Sequence, residues 1–470
     1  MSTRLKTVLF GVAVLLFAAV LFVLLAPGED ESAPMTAQSA YLTEKPPVSN
    51  RTLVRTGSSL ASDPVAATRE VLARVASDDQ DPRPQLAILL ASNFQSLEQI
   101  YAEARRILGP STRIFGGSAS TRAIMTEKGL LSVGPGASSP TGLVAMIIRS
   151  SEIGFGVGSA SPTHGASRRE TTRRAVEEAV RDARKPGKQP SALLVLADPK
   201  EGEGVARGLD DVLGKSVPVA GGCVSGPSNS VIGNAVRTLG VAALALYTDL
   251  PMGWTFEGGF DVSDAHSGQV TAVSEDGRIV ETIDGRPATD VYNEWTQGQV
   301  ARLYPSHTPG NVIDAIDALT LYPCYRKFRS PDGRVYTIFS HAWPADPTLT
   351  NRSLQLASSV EKGDRLYLGR GSWETLLNRI GNLPAKAKLQ AGMDAGDRTI
   401  LGIGFICSGV FGSIPRAERG KIPVLLNYSH GGAPFVGMVT AGEFGNLPGI
   451  GNKYGNLLTS FLTVGPKTLK

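Results

Sequence analysis

The side chains able to act as a nucleophile lie together near the C-terminus. Cys407 and Ser408 stand side by side after an apolar run, and His430 is the histidine placed to serve them as a base. Nothing next to Cys407 would lower its pKa, and the bland account is a small thiol packed among strands. The other histidines are His164, His266, His307 and His341. No two of the five stand three or four residues apart, so none forms a metal-ligand pair on a helix. One axial histidine, His430 or His307, would suffice for a haem. Cys223 and Cys324 bring the cysteines to three, an odd and low number for a disulfide framework, although one pair could still bridge. The expectation is no catalytic residue and no metal site, with ligand binding favoured over catalysis.

Candidates for ligand binding sit where three apolar strands run into small residues. The endings read Ile114-Phe115-Gly116-Gly117-Ser118-Ala119-Ser120, Val219-Ala220-Gly221-Gly222-Cys223-Val224-Ser225 and Phe435-Val436-Gly437 through Thr440-Ala441-Gly442-Glu443. Parallel sheets receive ligands beyond the carboxyl ends of their strands, and glycine there lets a ligand approach backbone N–H groups. Gly116, Gly117, Gly221, Gly222 and Gly442 would give that approach. Ser118, Ser120, Thr121, Ser225 and Thr440 would add hydroxyls, Cys223 lies at the second ending, Cys407 and Ser408 lie at the end of the apolar strand before the third, and Glu443 would hold an ammonium group. A tight turn needing glycine for positive φ accounts for the same glycines without a ligand.

The elements that would position these residues repeat. Moving residues 86–120 forward by 105 aligns them with 191–225 without a gap, and nine pairs are identical, including Ala87/Ala192, Leu89/Leu194, Gly109/Gly214, Gly116/Gly221 and Gly117/Gly222. Average usage would give roughly two or three. Each copy reads as a strand, an amphipathic helix (about 96–108 and 202–213) ending at a glycine cap, and a second strand, preceded by a helix (63–77 and 168–184) and closed by another strand (143–148 and 241–247). The expected fold is α/β, built from duplicated βαβ-type units with a mostly parallel sheet over about 63–150 and 166–249. Residues 400–441 form a looser third copy. Between them, Gly-containing turns such as Glu275-Asp276-Gly277 and Ser330-Pro331-Asp332-Gly333 predict an antiparallel β-rich part over about 254–370, with a short helix at 288–295.

With 470 residues, 42% hydrophobic and 19% charged, the chain is globular, and a net charge of +4 without a basic stripe excludes a nucleic-acid partner. The densest basic stretch, Arg168–Lys188, carries interleaved acids and reads as a solvated helix face. Val8–Ala26 is an apolar run of about 28 Å as a helix, preceded by Arg4 and Lys6 and followed by acids. It predicts an uncleaved single-pass anchor with the N-terminus cytoplasmic and the bulk extracytoplasmic. Residues 28–62, rich in Pro and Ser, predict a tether.

Asp284-Gly285-Arg286-Pro287-Ala288 followed by Val291-Tyr292 resembles a signature of FIST domains. So do Ala441-Gly442-Glu443-Phe444-Gly445, the strand Gly404–Cys407, and Gly116-Gly117-Ser118. The resemblance spans residues 63–465 and divides them into an N-terminal domain (63–249) and a C-terminal one (250–466). One departure is Ser408-Gly409-Val410, where the family often has a basic residue. The resemblance implies a sensory domain binding a small molecule such as an amino acid, with its output passed to a separate partner protein. It also implies a haem-based nitric-oxide sensor as an alternative, beside the Cys407 or Ser408 hydrolase-like enzyme.

Overall fold

A computed structural model describes residues 51–76, 83–131, 141–305, 312–394 and 396–467. The chain divides into two units, residues 1–47 and 48–470, and the first, with the expected anchor at 8–26, lies outside the described residues. Among the described residues no helix is long and apolar enough to cross a membrane.

The first copy comprises β1 (Thr52–Ser59), α1 (Pro64–Ala76), β2 (Leu86–Ser92), α2 (Glu98–Leu108), β3 (Arg113–Ser118), the hairpin β4 (Ile124–Thr126) and β5 (Gly129–Leu131), and β6 (Gly142–Ser150). The second repeats this order with β7 (Gly154–Ala160), α3 (Arg168–Asp182), β8 (Ala192–Ala197), α4 (Gly202–Leu213), β9 (Val219–Cys223), β10 (Ser230–Ile232), β11 (Val236–Thr238) and β12 (Val241–Tyr247). After β13 (Met252–Gly258) the β-rich insert follows. It holds β14 (Asp261–Val273), β15 (Ile279–Ile283), β16 (Arg286–Pro287), α5 (Ala288–Trp295), α6 (Gln299–Leu303), α7 (Val312–Leu319), β17 (Cys324–Arg329), β18 (Val335–Ser340), β19 (Ala342–Pro344), β20 (Leu354–Leu356) and β21 (Arg365–Arg370). The third copy resumes with α8 (Trp373–Gln390), β22 (Leu401–Cys407), α9 (Ser408–Ser413), α10 (Lys421–His430), β23 (Phe435–Thr440), β24 (Glu443–Leu447), β25 (Gly451–Gly455) and β26 (Leu458–Val464).

The three copies exchange hairpins in a cycle. The sheets run β1-β6-β2-β3-β10-β11, β7-β12-β8-β9-β24-β25 and β13-β26-β22-β23-β4-β5. Each copy therefore sends its hairpin to the edge of a neighbour's sheet: the first to the third, the second to the first, the third to the second. One core takes Leu86, Ile88 and Leu90, Leu194 and Leu196, and Ile403, Phe405 and Met438 from the inner faces of all three sheets, while the outer faces pack on helices. Inner strands covered on both faces are apolar throughout, which is why their sequences do not alternate.

Four expectations need correction. The sheets are mixed, not mostly parallel: β2/β3, β8/β9 and β22/β23 are parallel, and the other pairings are antiparallel. Burial on both faces, which suggested parallel strands, arises from the neighbouring sheets. Residues 52–59, expected in the tether, form β1, paired with β6 along its full length. The gapless alignment slips by one residue in its first strand. Leu89 faces Gly116, whereas Val195, not Leu194, faces Gly221. With a side-chain period of two, that slip puts the identical pairs Ala87/Ala192 and Leu89/Leu194 on opposite faces; Ala87 and Leu89 pack on helices, and Ala192 and Leu194 face the central core.

The fourth concerns the Gly-Gly pairs, which are not turns. Gly116, Gly117, Gly221 and Gly222 lie within β3 and β9, and none has positive φ. Glycine is needed because a Cβ on Gly116 would collide with the Leu89 carbonyl oxygen, and one on Gly221 with that of Val195. The insert follows the expected hairpin pattern, with Gly277 and Gly333 at positive φ in its turns and α5 at 288–295.

Candidate functional site

The register that aligns the copies also isolates their differences. Gly117 of β3 stands opposite Val231, Gly222 of β9 opposite Glu443, and Met438 of β23 opposite Ile124. Val231, Glu443 and Ile124 therefore occupy one equivalent position, and two of the three are apolar. All three are fully buried. Three residues on from Leu89, Val195 and Gly404, the partners of Gly116, Gly221 and Gly437, stand Ser92, Asp198 and Cys407, equivalent in the same way and again buried.

Glu443 sits where the third copy's hairpin meets the second copy's sheet. Its Oε1 accepts a hydrogen bond from the Thr440 hydroxyl at 2.9 Å and its Oε2 one from the Leu458 N–H at 3.3 Å. The carboxyl also meets the Cys407 thiol. Burial pushes the Glu443 carboxyl well above its ordinary value, outweighing these hydrogen bonds, which favour the ionised form. Burial, with Glu443 next, likewise raises Cys407 and Cys223. The cluster is a buried carboxyl between two buried thiols, and burial disfavours the charged form of each.

Two residues that the sequence reading did not single out complete it. The Tyr454 hydroxyl lies close to Gly442, where a Cβ would come within 2.5 Å of it; Gly442 also has φ 121°, so glycine is required twice over. Asn456 donates from Nδ2 to the Tyr454 oxygen at 3.3 Å, yet its Oδ1 has no partner although the residue is only 7% exposed. Next to it Leu457 takes φ 59°, a conformation disfavoured for a γ-branched side chain, and its N–H meets Cys407 Sγ at 3.1 Å. An orphaned buried oxygen beside a strained residue often marks a functional site. The alternating polar side chains Asn452, Tyr454 and Asn456 in an otherwise buried hairpin were the available signal.

The other predicted residues divide by location. Thr440, Gly442, Glu443, Cys223, Gly222 and Cys407 converge: Cys407 pairs with Thr440, the Cys223 N–H donates to Gly442 O at 2.7 Å, and a Cβ on Gly222 would lie 2.5 Å from Thr440. Ser408 follows Cys407 at the start of α9, half-buried. Gly221 packs beneath, its N–H donating to the Ser460 hydroxyl. Gly116, Gly117 and Ser118 lie at a different junction, where Ser118 bonds the backbone of Ser230. Ser120 is buried, Thr121 is exposed at φ 49° and Ser225 is half-buried, none of them in the cluster.

His430 cannot serve Cys407. It packs against Gly402 at the opposite end of β22, about 16 Å away by strand rise, and its ring nitrogens bond Thr399, Thr463 and Ala433. Burial lowers its pKa to about 4. His307, the other candidate haem ligand, lies outside the described residues. Cys223, Cys324 and Cys407 are all free and buried. Among the described residues no cluster could hold a metal.

The FIST N domain profile matches residues 45–286, just over half of the chain. The chain belongs to the FIST family. FIST domains are a sensory family. The family residues have visible structural duties. Asp284 and Gly285 form the positive-φ hairpin between β15 and β16, and Tyr292, buried in the insert, donates to Tyr322 O at 2.7 Å. No curated protein matches in sequence. Among solved structures, a cyanuric acid hydrolase is 10% identical over 88% of this chain and 100% of its own, at TM-score 0.32. The enzyme of that name from A. caulinodans is 8% identical over 88% and 99%, at 0.34. PurLQS from Thermotoga maritima is 10% identical over 90% and 74%, at 0.20. Likenesses at this level establish neither a common fold nor a common activity.

Proposed function

We propose that this FIST protein is a sensory module that receives a small molecule bearing an ammonium group, such as an amino acid, at the Glu443 cluster. It passes the signal to a separate partner protein. The observation that carries the reading is a fully buried carboxyl in a register position where the other two copies hold Val231 and Ile124. The fold does not require it, and burying it costs free energy that Val or Ile would not. Binding would ionise Glu443, pair it with the ammonium, and release its proton. The ligand would displace the turn at Asn456 and Leu457, which is strained and leaves one oxygen unpaired. In this reading residues 8–26 anchor the module to a membrane, with its bulk outside the cytoplasm.

A thermal-shift screen of the detergent-solubilised full chain against amino acids and related metabolites tests this. At one hundred times Kd a ligand should stabilise by about 2.7 kcal/mol. The expected result is a Tm rise with a chemically related set of amines, abolished by Glu443→Gln. No rise across the library, or a rise that Glu443→Gln leaves intact, would overturn it.

A further inference from the structure

The pole opposite the Glu443 cluster carries a cavity of about 480 Å³. The three copies meet there: Arg51 precedes β1, Lys185 and Lys188 join α3 to β8, Asp249 follows β12, and Lys467 follows β26. These residues gather at the amino end of β8, whereas Glu443 lies by the carboxyl end of its partner β9. Four cationic side chains line the cavity against two carboxylates, Glu152 and Asp249. Glu152 already accepts a hydrogen bond from the Thr52 hydroxyl at 3.0 Å. Among the described residues Lys185, Lys188 and Lys467 enter no ion pair. Cations gathered at a concave site in excess of its carboxylates raise its affinity for anions.

A second, independent observation lies in the wall. Tyr247 lines the cavity and is only 7% exposed, yet its hydroxyl has no hydrogen-bond partner. A buried phenol without a partner costs free energy, and a ligand oxygen would relieve it. Lysine ammonium groups act as point-charge partners for phosphate. The cationic excess matches a dianion, and the volume admits a group larger than a carboxylate. We infer that this cavity binds a phosphate-class anion, either a soluble phosphomonoester or the phosphate of an acidic lipid headgroup. The lipid source rests in part on the proposed membrane anchoring. The phosphate chemistry does not.

The test uses the full chain in a non-ionic detergent. Calorimetric titrations would use inorganic phosphate, glycerol 3-phosphate, and dihexanoylphosphatidylglycerol beside dihexanoylphosphatidylcholine, both kept monomeric. The proposal expects saturable binding weakened about tenfold or more by Lys185→Gln with Lys467→Gln, a loss of about 1.4 kcal/mol. It expects a several-fold loss for Tyr247→Phe without loss of Tm, since that hydroxyl has no partner to lose. Binding of the soluble phosphates assigns the site to a free ligand; binding of phosphatidylglycerol alone assigns it to a headgroup. Three results would overturn the inference: no saturable binding of any anionic probe, equal binding of both lipids, or affinities unchanged in all the variants. Glu443→Gln, at the other pole, should leave phosphate binding as it was, which separates this test from that of the sensing site.

Discussion

Replacing Glu443 by Gln should make the protein more stable relative to the native chain as the pH rises. The folded carboxyl is held above the ordinary value of 4.5 by burial, so between that value and its folded pKa the native state keeps a proton that the unfolded state has lost. The sign follows directly. Stability linked to this group is fully present below 4.5 and is lost as pH climbs toward the folded pKa. One proton bound on folding corresponds to about 1.4 kcal/mol per pH unit for as long as the folded acid stays protonated. Gln keeps the shape and accepts from Thr440 as the neutral acid does, but cannot ionise. Titrating groups outside the cluster are common to both proteins and cancel in the difference. The assay is urea unfolding of the two proteins at half-unit intervals from pH 5.5 to 8, comparing midpoints at constant slope. The native chain should lose ground steadily to the variant. A difference that stays flat across this range would refute the reasoning, because it would place an ionised carboxylate in the folded cluster.

Two further outcomes follow from packing. Gly116→Ala and Gly221→Ala, which drive a Cβ into a neighbouring carbonyl, should each cost about 3 kcal/mol, whereas the equivalent Gly437→Ala, whose Cβ would lie 3.0 Å from the flexible Met125 side chain, should cost about 1 kcal/mol; urea midpoints rank the three. Arg168→Met should cost about 3–5 kcal/mol, because buried Asp198 lies 2.6 Å from that guanidinium; restoration of most of the loss by adding Asp198→Asn would identify the stranded carboxylate as the cause, and a persistent loss would point to packing instead.

The individual strands and helices were legible because each carries a local signal. Asp63-Pro64 starts α1 with Asp63 capping the Ala66 N–H, Gly109 and Gly214 close α2 and α4 at positive φ, and β12 coincides with the run Val241–Tyr247. Pairing was not legible in the same way. Nothing local says that β24 leaves its own copy to pair with β9, and only that exchange brings Glu443 beside Gly222 and Cys223. A gapless alignment was also bound to misplace β2 against β8. Helix caps and second strands fixed its offset, and a one-residue difference in the preceding loop disappears into apolar runs where every position is hydrophobic.

Symmetry gives the cluster its meaning. A fold assembled from three similar units sets its own control, because equivalent positions face equivalent packing demands. Where Gly116, Gly221 and Gly437 agree, a shared backbone contact or register is sufficient cause. Where Val231, Glu443 and Ile124 disagree, the apolar pair proves that the scaffold closes without a carboxyl, and its desolvation is an expense the fold could have avoided. Asp198 departs from symmetry too, but Arg168 stands beside it as a charge partner. Among the described residues Glu443 enters no ion pair; its neighbours are a hydroxyl, a backbone N–H and thiols, and Arg278, whose charge reaches Cys223 and Tyr454, pairs with Glu203 instead. A buried acid with its counter-charge in place is explained by the pair. One without it fits the proposed ammonium ligand, and that asymmetry between Asp198 and Glu443 is the reason to look for the ligand at the second of them.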